Sequence, residues 1–301
     1  MNRVPEPSVV YTRRPSAAAF AARAIAPRSG WMRQPSLPDL QLRWRGYTVD
    51  PEEVRRMLAL AGAPAHGASP GALLLAPHVT GFALTMAALT QPGWPLPIRH
   101  ALQVRNRLVL HGPIEPGRPY DLVLRTAGWR ILDKGLEVDL HTRLQEQSQT
   151  LWESIVTFYY RGRFGAAGES GEARGAAAAS PRIEETATEL ERWQVQAGGR
   201  WAFAKLTGDF NPLHQWGAYA RRLGFHAATA HPQRIAARCL GHLPARGGAQ
   251  QLDLWIKGPV YFGSDVVLRH ADGAAGEGRD FGVWKLEESR PALVGRWRGL
   301  P

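Results

Sequence analysis

The chain repeats itself, and the repeated pattern narrows the folds open to it. In one half an apolar helix candidate at His78–Leu89 leads into a strand-like run, Ile98–Leu110. Gly112-Pro113-Ile114, Gly117 and a second strand at Leu122–Leu124 follow. In the other half a helix candidate at Pro232–Leu243 leads into alternating Leu252, Leu254 and Ile256. Gly258-Pro259-Val260, Gly263 and a strand at Val266–Leu268 follow in the same order. Each half closes on paired strands. Leu136, Val138, Leu140 and Leu144 precede Trp152, Val156, Phe158 and Tyr160, while Phe281, Val283 and Lys285 lead through Ser289–Pro291 to Leu293–Trp297. Period-two alternation with polar turns is the antiparallel signature. The pattern predicts an α+β chain of two units, each an apolar helix wrapped by an antiparallel sheet.

Length agrees, since 301 residues make about two domains at roughly 150 residues each. Residues 1–35 are Pro-punctuated, Arg-rich and almost free of acid. They read as a disordered basic tail, with a cleaved transit peptide as the other reading of the same composition. A first unit is expected over 36–164, with folded structure beginning near Leu37–Trp44. Asp50 reads as an N-cap, Pro51 as the first helical residue, Glu53 as the partner in a capping box and Gly62 as the stop. Gly165–Arg182, GAAGESGEARGAAAASPR, has no apolar periodicity and reads as a linker. The second unit is expected over 183–301.

Composition removes several classes of function. Cys239 is the only cysteine, so no intrachain disulfide and no multi-thiolate zinc site can form. Its place in the Ile235, Cys239, Leu243 stripe makes it a small core residue. The apolar stretches near Leu73–Ala76 and Phe82–Leu89 are each shorter than the ~20 residues that span a bilayer, so a soluble, cytoplasmic chain with no membrane partner is expected. The net charge is +11, but 33 of the 37 basic residues are Arg and the excess is concentrated before residue 49. No zinc-finger spacing, aromatic ribonucleoprotein motif or sustained basic helix accompanies it, so no nucleic-acid partner is expected. A moderately positive body suits a polyanionic small molecule.

The chemistry-bearing segment is Phe203–Phe225, FAKLTGDFNPLHQWGAYARRLGF. Asn211 is placed as an N-cap and Pro212 at a first helical position, which predicts a helix from Pro212 to about Leu223, ended by Gly224. Asp209 precedes the cap on a turn after Gly208, and His214 falls in the first helical turn. The cap bends the chain so that carboxylate and imidazole can converge despite five residues of separation. A helix N-terminus disfavours imidazolium while the carboxylate favours it, which suits a pair that handles protons near neutral pH.

This segment resembles the hydratase motif of the MaoC-like family, the R-specific enoyl-CoA hydratases and R-3-hydroxyacyl thioester dehydratases. The family pattern is matched at Phe203, Leu206, Thr207, Gly208-Asp209-Phe210-Asn211-Pro212-Leu213-His214 and Ala220. The resemblance implies a double hotdog fold, a long helix wrapped by an antiparallel sheet in each unit, with one active site in the second. It implies reversible hydration of trans-2-enoyl thioesters, with Asp209 and His214 as the acid–base pair and Asn211 and Gly208 setting their geometry. The implied substrate is an acyl thioester of coenzyme A or acyl-carrier protein, with arginines near the tunnel mouth to meet its phosphates. No cofactor and no metal are implied, and the assembly is a monomeric double hotdog or a homodimer. A non-catalytic acyl-thioester binder and an acyl thioesterase are the alternatives on the same fold.

One position departs from the family. Where the family has His-Gly opening the central helix, this chain has His231-Pro232-Gln233. The family's glycine N–H stabilises the thioester oxygen, and Pro232 has no N–H to give. The resemblance therefore leaves Gln233, by backbone or side chain, as the substitute donor. The first half carries no copy of the motif.

Overall fold

A computed structural model describes residues 9–25, 37–64, 70–171, 179–184, 186–244, 247–273 and 278–300. The strands of the first half are β1 (Val9–Tyr11), β2 (Gln41–Thr48), β3 (Leu102–Leu110), β4 (Pro119–Leu132), β5 (Gly135–Glu146) and β6 (Gln149–Arg161). Those of the second are β7 (Thr188–Gln194), β8 (Gln250–Ile256), β9 (Asp265–Asp272), β10 (Gly278–Lys285) and β11 (Pro291–Gly299). They form one sheet in the order β1-β2-β4-β5-β6-β3-β8-β11-β10-β9-β7. From β2 inward the order is β2-β4-β5-β6-β3; from the far edge inward it is β7-β9-β10-β11-β8. The same topology is used twice, and the repeat read in the sequence is structural. The two copies join where β3 pairs antiparallel with β8, Arg105 opposite Trp255 through Leu110 opposite Gln250.

Each unit wraps its sheet around a helix. In the first unit this is α3 (Pro70–Thr80) continued by α4 (Phe82–Leu89), after the shorter α1 (Ala17–Ile25) and α2 (Pro51–Ala61). In the second, α5 (Arg200–Thr207) and α6 (Gly217–Arg222) precede the central α7 (Pro232–His242). The α3–α4 junction is Gly81, where a Cβ would lie 2.5 Å from the Pro77 carbonyl oxygen and 2.6 Å from a Leu122 methyl. The two short apolar stretches thus join into one helical run, Gly71–Leu89, long and apolar enough to cross a membrane. This overturns the expectation from the separate stretches, yet 94% of the run is buried inside the fold as its core helix. Cys239 is fully buried in α7, as its stripe predicted.

Two expectations about irregular segments are corrected. Part of the predicted tail is folded: Val9–Tyr11 pairs in parallel with Leu42–Trp44, Phe20 is buried, and Arg14 donates to the Glu53 carboxylate at 2.8 Å. Three strand residues and one helical turn or two carry too little periodicity to be read locally; the exposed edge of β2 organises them. The same Arg14 removes Glu53 from the capping box. Asp50 still caps α2, through the Glu52 N–H at 2.8 Å, and Gly62 ends it in the left-handed conformation. The remaining residues before 37 lie outside the described ones. The linker is also shorter than predicted. Its opening residues run along β4, with the Ile131 N–H donating to Glu169 O at 2.8 Å and Gly171 N–H to Trp129 O at 3.1 Å. Residues 172–178 lie outside the described residues.

Candidate active site

The loop after α5 is built to present one carboxylate. Gly208 has φ +78° and sits against α4 of the first unit, where a Cβ would lie 3.0 Å from that of Ala83. Both facts call for glycine. The Thr207 hydroxyl donates back to Phe203 O at 3.1 Å and accepts the Asp209 N–H at 3.0 Å, ending the helix and fixing the next residue. Asp209 Oδ1 accepts the Asn211 N–H at 3.0 Å, and the Asn211 side chain accepts the Leu213 N–H at 3.0 Å. Asn211 is thus the cap that its sequence context predicts. The long helix expected from Pro212 to Leu223 is instead a single 3-10 turn, Pro212–His214, followed by α6. Tertiary bonds override the local preference: Leu213 O accepts the Thr229 N–H at 3.1 Å, and the His214 ring is held by the same residue.

His214 Nδ1 lies 2.9 Å from Thr229 O, so Nδ1 carries the hydrogen and Nε2 is left for chemistry. Nε2 faces Asp209 Oδ2 across 3.9 Å. That is too long for a direct hydrogen bond, and wide enough for a small reacting group to touch both. Both side chains are almost fully buried. The sequence brings these two together as expected.

His231 is the residue that local reasoning missed. It is the N-cap of α7, fully buried, with its ring stacked on His214 at 3.9 Å between centroids and packed on Phe203 at 5.3 Å. Its Nε2 lies 3.1 Å from Asp209 O and donates there, tying the acidic loop to the central helix. Burial holds its pKa well below the ordinary histidine value; the neighbouring His214 charge acts in the same direction, and the Asp209 carbonyl opposes. A neutral ring can stack on His214 without adding a second buried charge. Its only sequence signal was the motif's company, a histidine just before a proline at a helix start.

Donor atoms of Asp209, His214 and His231 lie within 4.8 Å of one another, close enough to ligate a metal ion. The hydrogen bonds argue for a different use. His231 spends Nε2–H on a backbone carbonyl, so its lone pair sits on Nδ1, which is buried without a partner among the described residues. A shared ion would require breaking that bond.

The pair lines a cavity of about 300 Å³. Its walls are chiefly apolar and come from both units: Phe82, Met86, Leu89 and Phe158 from the first, Ile235 and Leu293 from the second. The polar lining is Gln103, Asn211, Thr229 and Lys257 beside the catalytic candidates. Arginines were expected at the mouth, but among the described residues no arginine lines the cavity, whereas Lys257 does. Gln233, the predicted substitute donor, is not in the lining either. Its side-chain amide is buried and donates to Gln103 Oε1 at 3.2 Å. Pro232 does line the cavity, at the first position of α7.

No family model matches the chain. It is 25% identical over 284 residues to 3-hydroxyacyl-thioester dehydratase X of Mycobacterium tuberculosis, a match covering 94% of this chain and 96% of that protein. The crystal structure of HtdX from the same organism superposes with a TM-score of 0.67 at 21% identity, covering 86% of this chain and all of that one. A MaoC-like dehydratase from Phytophthora capsici gives 0.65 at 14% identity, covering 88% and 96%. These structures share the double hotdog architecture.

Proposed function

We propose that this chain, which belongs to the MaoC-like family of hotdog dehydratases and is a hydro-lyase, interconverts trans-2-enoyl and R-3-hydroxyacyl thioesters through Asp209 and His214. The observation that carries the reading is the 3.9 Å gap between Asp209 Oδ2 and His214 Nε2 in the lining of a chiefly apolar cavity. A water beside that gap, within hydrogen-bond distance of each atom, touches both groups. In hydration its oxygen bonds to C3 of the enoyl chain, one member of the pair takes its proton, and the other gives a proton to C2. The C2–C3 double bond is consumed and the pair ends with the proton count it began with. Dehydration is the same path reversed. General acid–base groups placed this way contribute roughly 10²–10⁴-fold.

The surroundings support the roles. Thr229 O accepts from His214 Nδ1 and stabilises the ring when it is protonated on both nitrogens. Asn211 holds Asp209 Oδ1, leaving Oδ2 for the water. The apolar walls take the acyl chain, and Lys257 at the lining offers a charge to a phosphorylated carrier arm. The second reading is a non-catalytic acyl-thioester binder, which Pro232 favours by lacking the family's N–H. A direct assay separates them. The protein is mixed with enoyl-CoAs from crotonyl to dodecenoyl, following loss of enoyl absorbance and the chirality of product. Formation of R-3-hydroxyacyl-CoA is expected; binding without conversion would favour the second reading.

A further inference from the structure

We propose that Gln103, from the unit that lacks the hydratase motif, supplies the thioester-oxygen hydrogen bond that Pro232 cannot. The inference rests on the hydratase reading above and adds a residue that the family pattern does not contain. Three independent features place Gln103 for this task.

The first is backbone. Gln103 lies at the start of β3, where the register with β6 shifts between Gln103 and Arg105, and β3 pairs with β8 only from Arg105 onward. A bulge re-aims side chains and ends pairing. Here Gln103 and the next residue, Val104, both line the cavity, which a regular strand with alternating faces would not allow. The second is location. Gln103 Oε1 accepts from Gln233 Nε2 at 3.2 Å, which ties it to the first turn of α7, one residue beyond Pro232. The side chain therefore stands beside the helix start where the missing N–H would have been.

The third is the direction of the hydrogen bonds. His78 is buried in α3, and burial lowers its pKa to about 3, so it is neutral; with the ring hydrogen on Nδ1, its Nε2 accepts the Asn106 Nδ2–H at 3.3 Å. Asn106 Oδ1 in turn accepts the Gln103 Nε2–H at 2.6 Å, and Gln103 Oε1 accepts from Gln233. In this tautomer each amide donates to the next along the chain, and such chains polarise cooperatively. The second Gln103 Nε2–H is left without a partner among the described residues. A preorganised N–H in a chiefly apolar cavity suits the negative charge that develops on the thioester oxygen as water adds at C3.

The test uses the full chain and two readouts. Gln103→Ala should lower kcat ~10²–10³-fold with little change in KM, the usual cost of one such donor. Gln233→Ala, which loosens Gln103 without removing it, should cost less. A chromophoric cinnamoyl-CoA thioester supplies a readout that mere structural damage does not mimic. Its absorption should shift to the red when bound to the wild-type protein, because the carbonyl is polarised. The shift should vanish in Gln103→Ala while binding persists. Hydration by Gln103→Ala within about threefold of wild type would overturn the assignment, as would an unchanged red shift. Should wild type hydrate no enoyl thioester, the hydratase reading fails, yet the red shift still decides the donor: present and lost on substitution supports it, and absent overturns it.

Discussion

At the scale of single residues the site depends on two histidines doing different jobs. In the proposed reaction His214 offers Nε2, while His231 spends Nε2–H on Asp209 O and positions the acidic loop. His231→Phe keeps a ring against His214 but drops that bond. One hydrogen bond is worth about 1 kcal/mol, so kcat should fall roughly fivefold with KM nearly unchanged. An unaltered kcat would remove the positioning role. Burial also sets the pH dependence of stability. His78 has its pKa lowered to about 3, and His231 is lowered too, both first by desolvation. The unfolded chain protonates each near pH 6.5 and the folded chain does not, so stability must decline as pH falls from about 6.5 toward 5. The slope is up to ~1.4 kcal/mol per pH unit for each histidine. Glu153 has the other sign. Hydrogen bonding to His141 lowers it to about 2 against the opposing effect of burial, so its contribution is kept above pH 4.5 and lost only below. Urea unfolding at pH 7.0 and 5.5 checks this; His78→Gln should reduce the difference, and equal stability at both values would contradict neutral burial.

At the scale of elements, what was legible in the sequence was what is encoded locally. Asn211 and Pro212 mark a capped turn wherever they occur together, so Asp209 and His214 could be paired from spacing and motif alone. The central helices and paired strands were legible because their apolar residues keep one period. The parts that were not legible arise from contacts distant in sequence. Thr229 shortens the turn after Pro212 into 3-10 geometry, Arg14 takes Glu53 out of its cap, and the edge of β2 recruits Val9–Tyr11. The last of these predicts that deleting residues 1–25 is costly. Phe20 alone loses a buried site worth roughly 1.5–3 kcal/mol. At about 2–4 °C per kcal/mol in a domain of this size, Tm should fall by about 5 °C or more. Unchanged melting would show that β1 and α1 add nothing to the body.

At the scale of the molecule the two units form one functional body. β3 and β8 close the sheet across the repeat, Arg107 of β3 donates to Asp253 of β8 at 2.8 Å, and the cavity takes walls from both. The proposed acid–base pair belongs to the second unit, while the first contributes cavity walls, Ala83 packed on Gly208, and the proposed donor Gln103. Residues 183–301 expressed alone would expose the full edge of β8 and half a cavity. Such an edge invites association. That fragment should be aggregation-prone and inactive; a soluble, active fragment would contradict the shared site.

The most direct test of the central claim compares wild type with Asp209→Asn and His214→Ala in the enoyl-CoA hydration assay. Circular dichroism and melting serve as the folding control. The account predicts conversion to R-3-hydroxyacyl-CoA by wild type and a loss of roughly 10²–10⁴-fold in either variant, with the fold retained. Near-wild-type turnover in a folded variant at either position would contradict it.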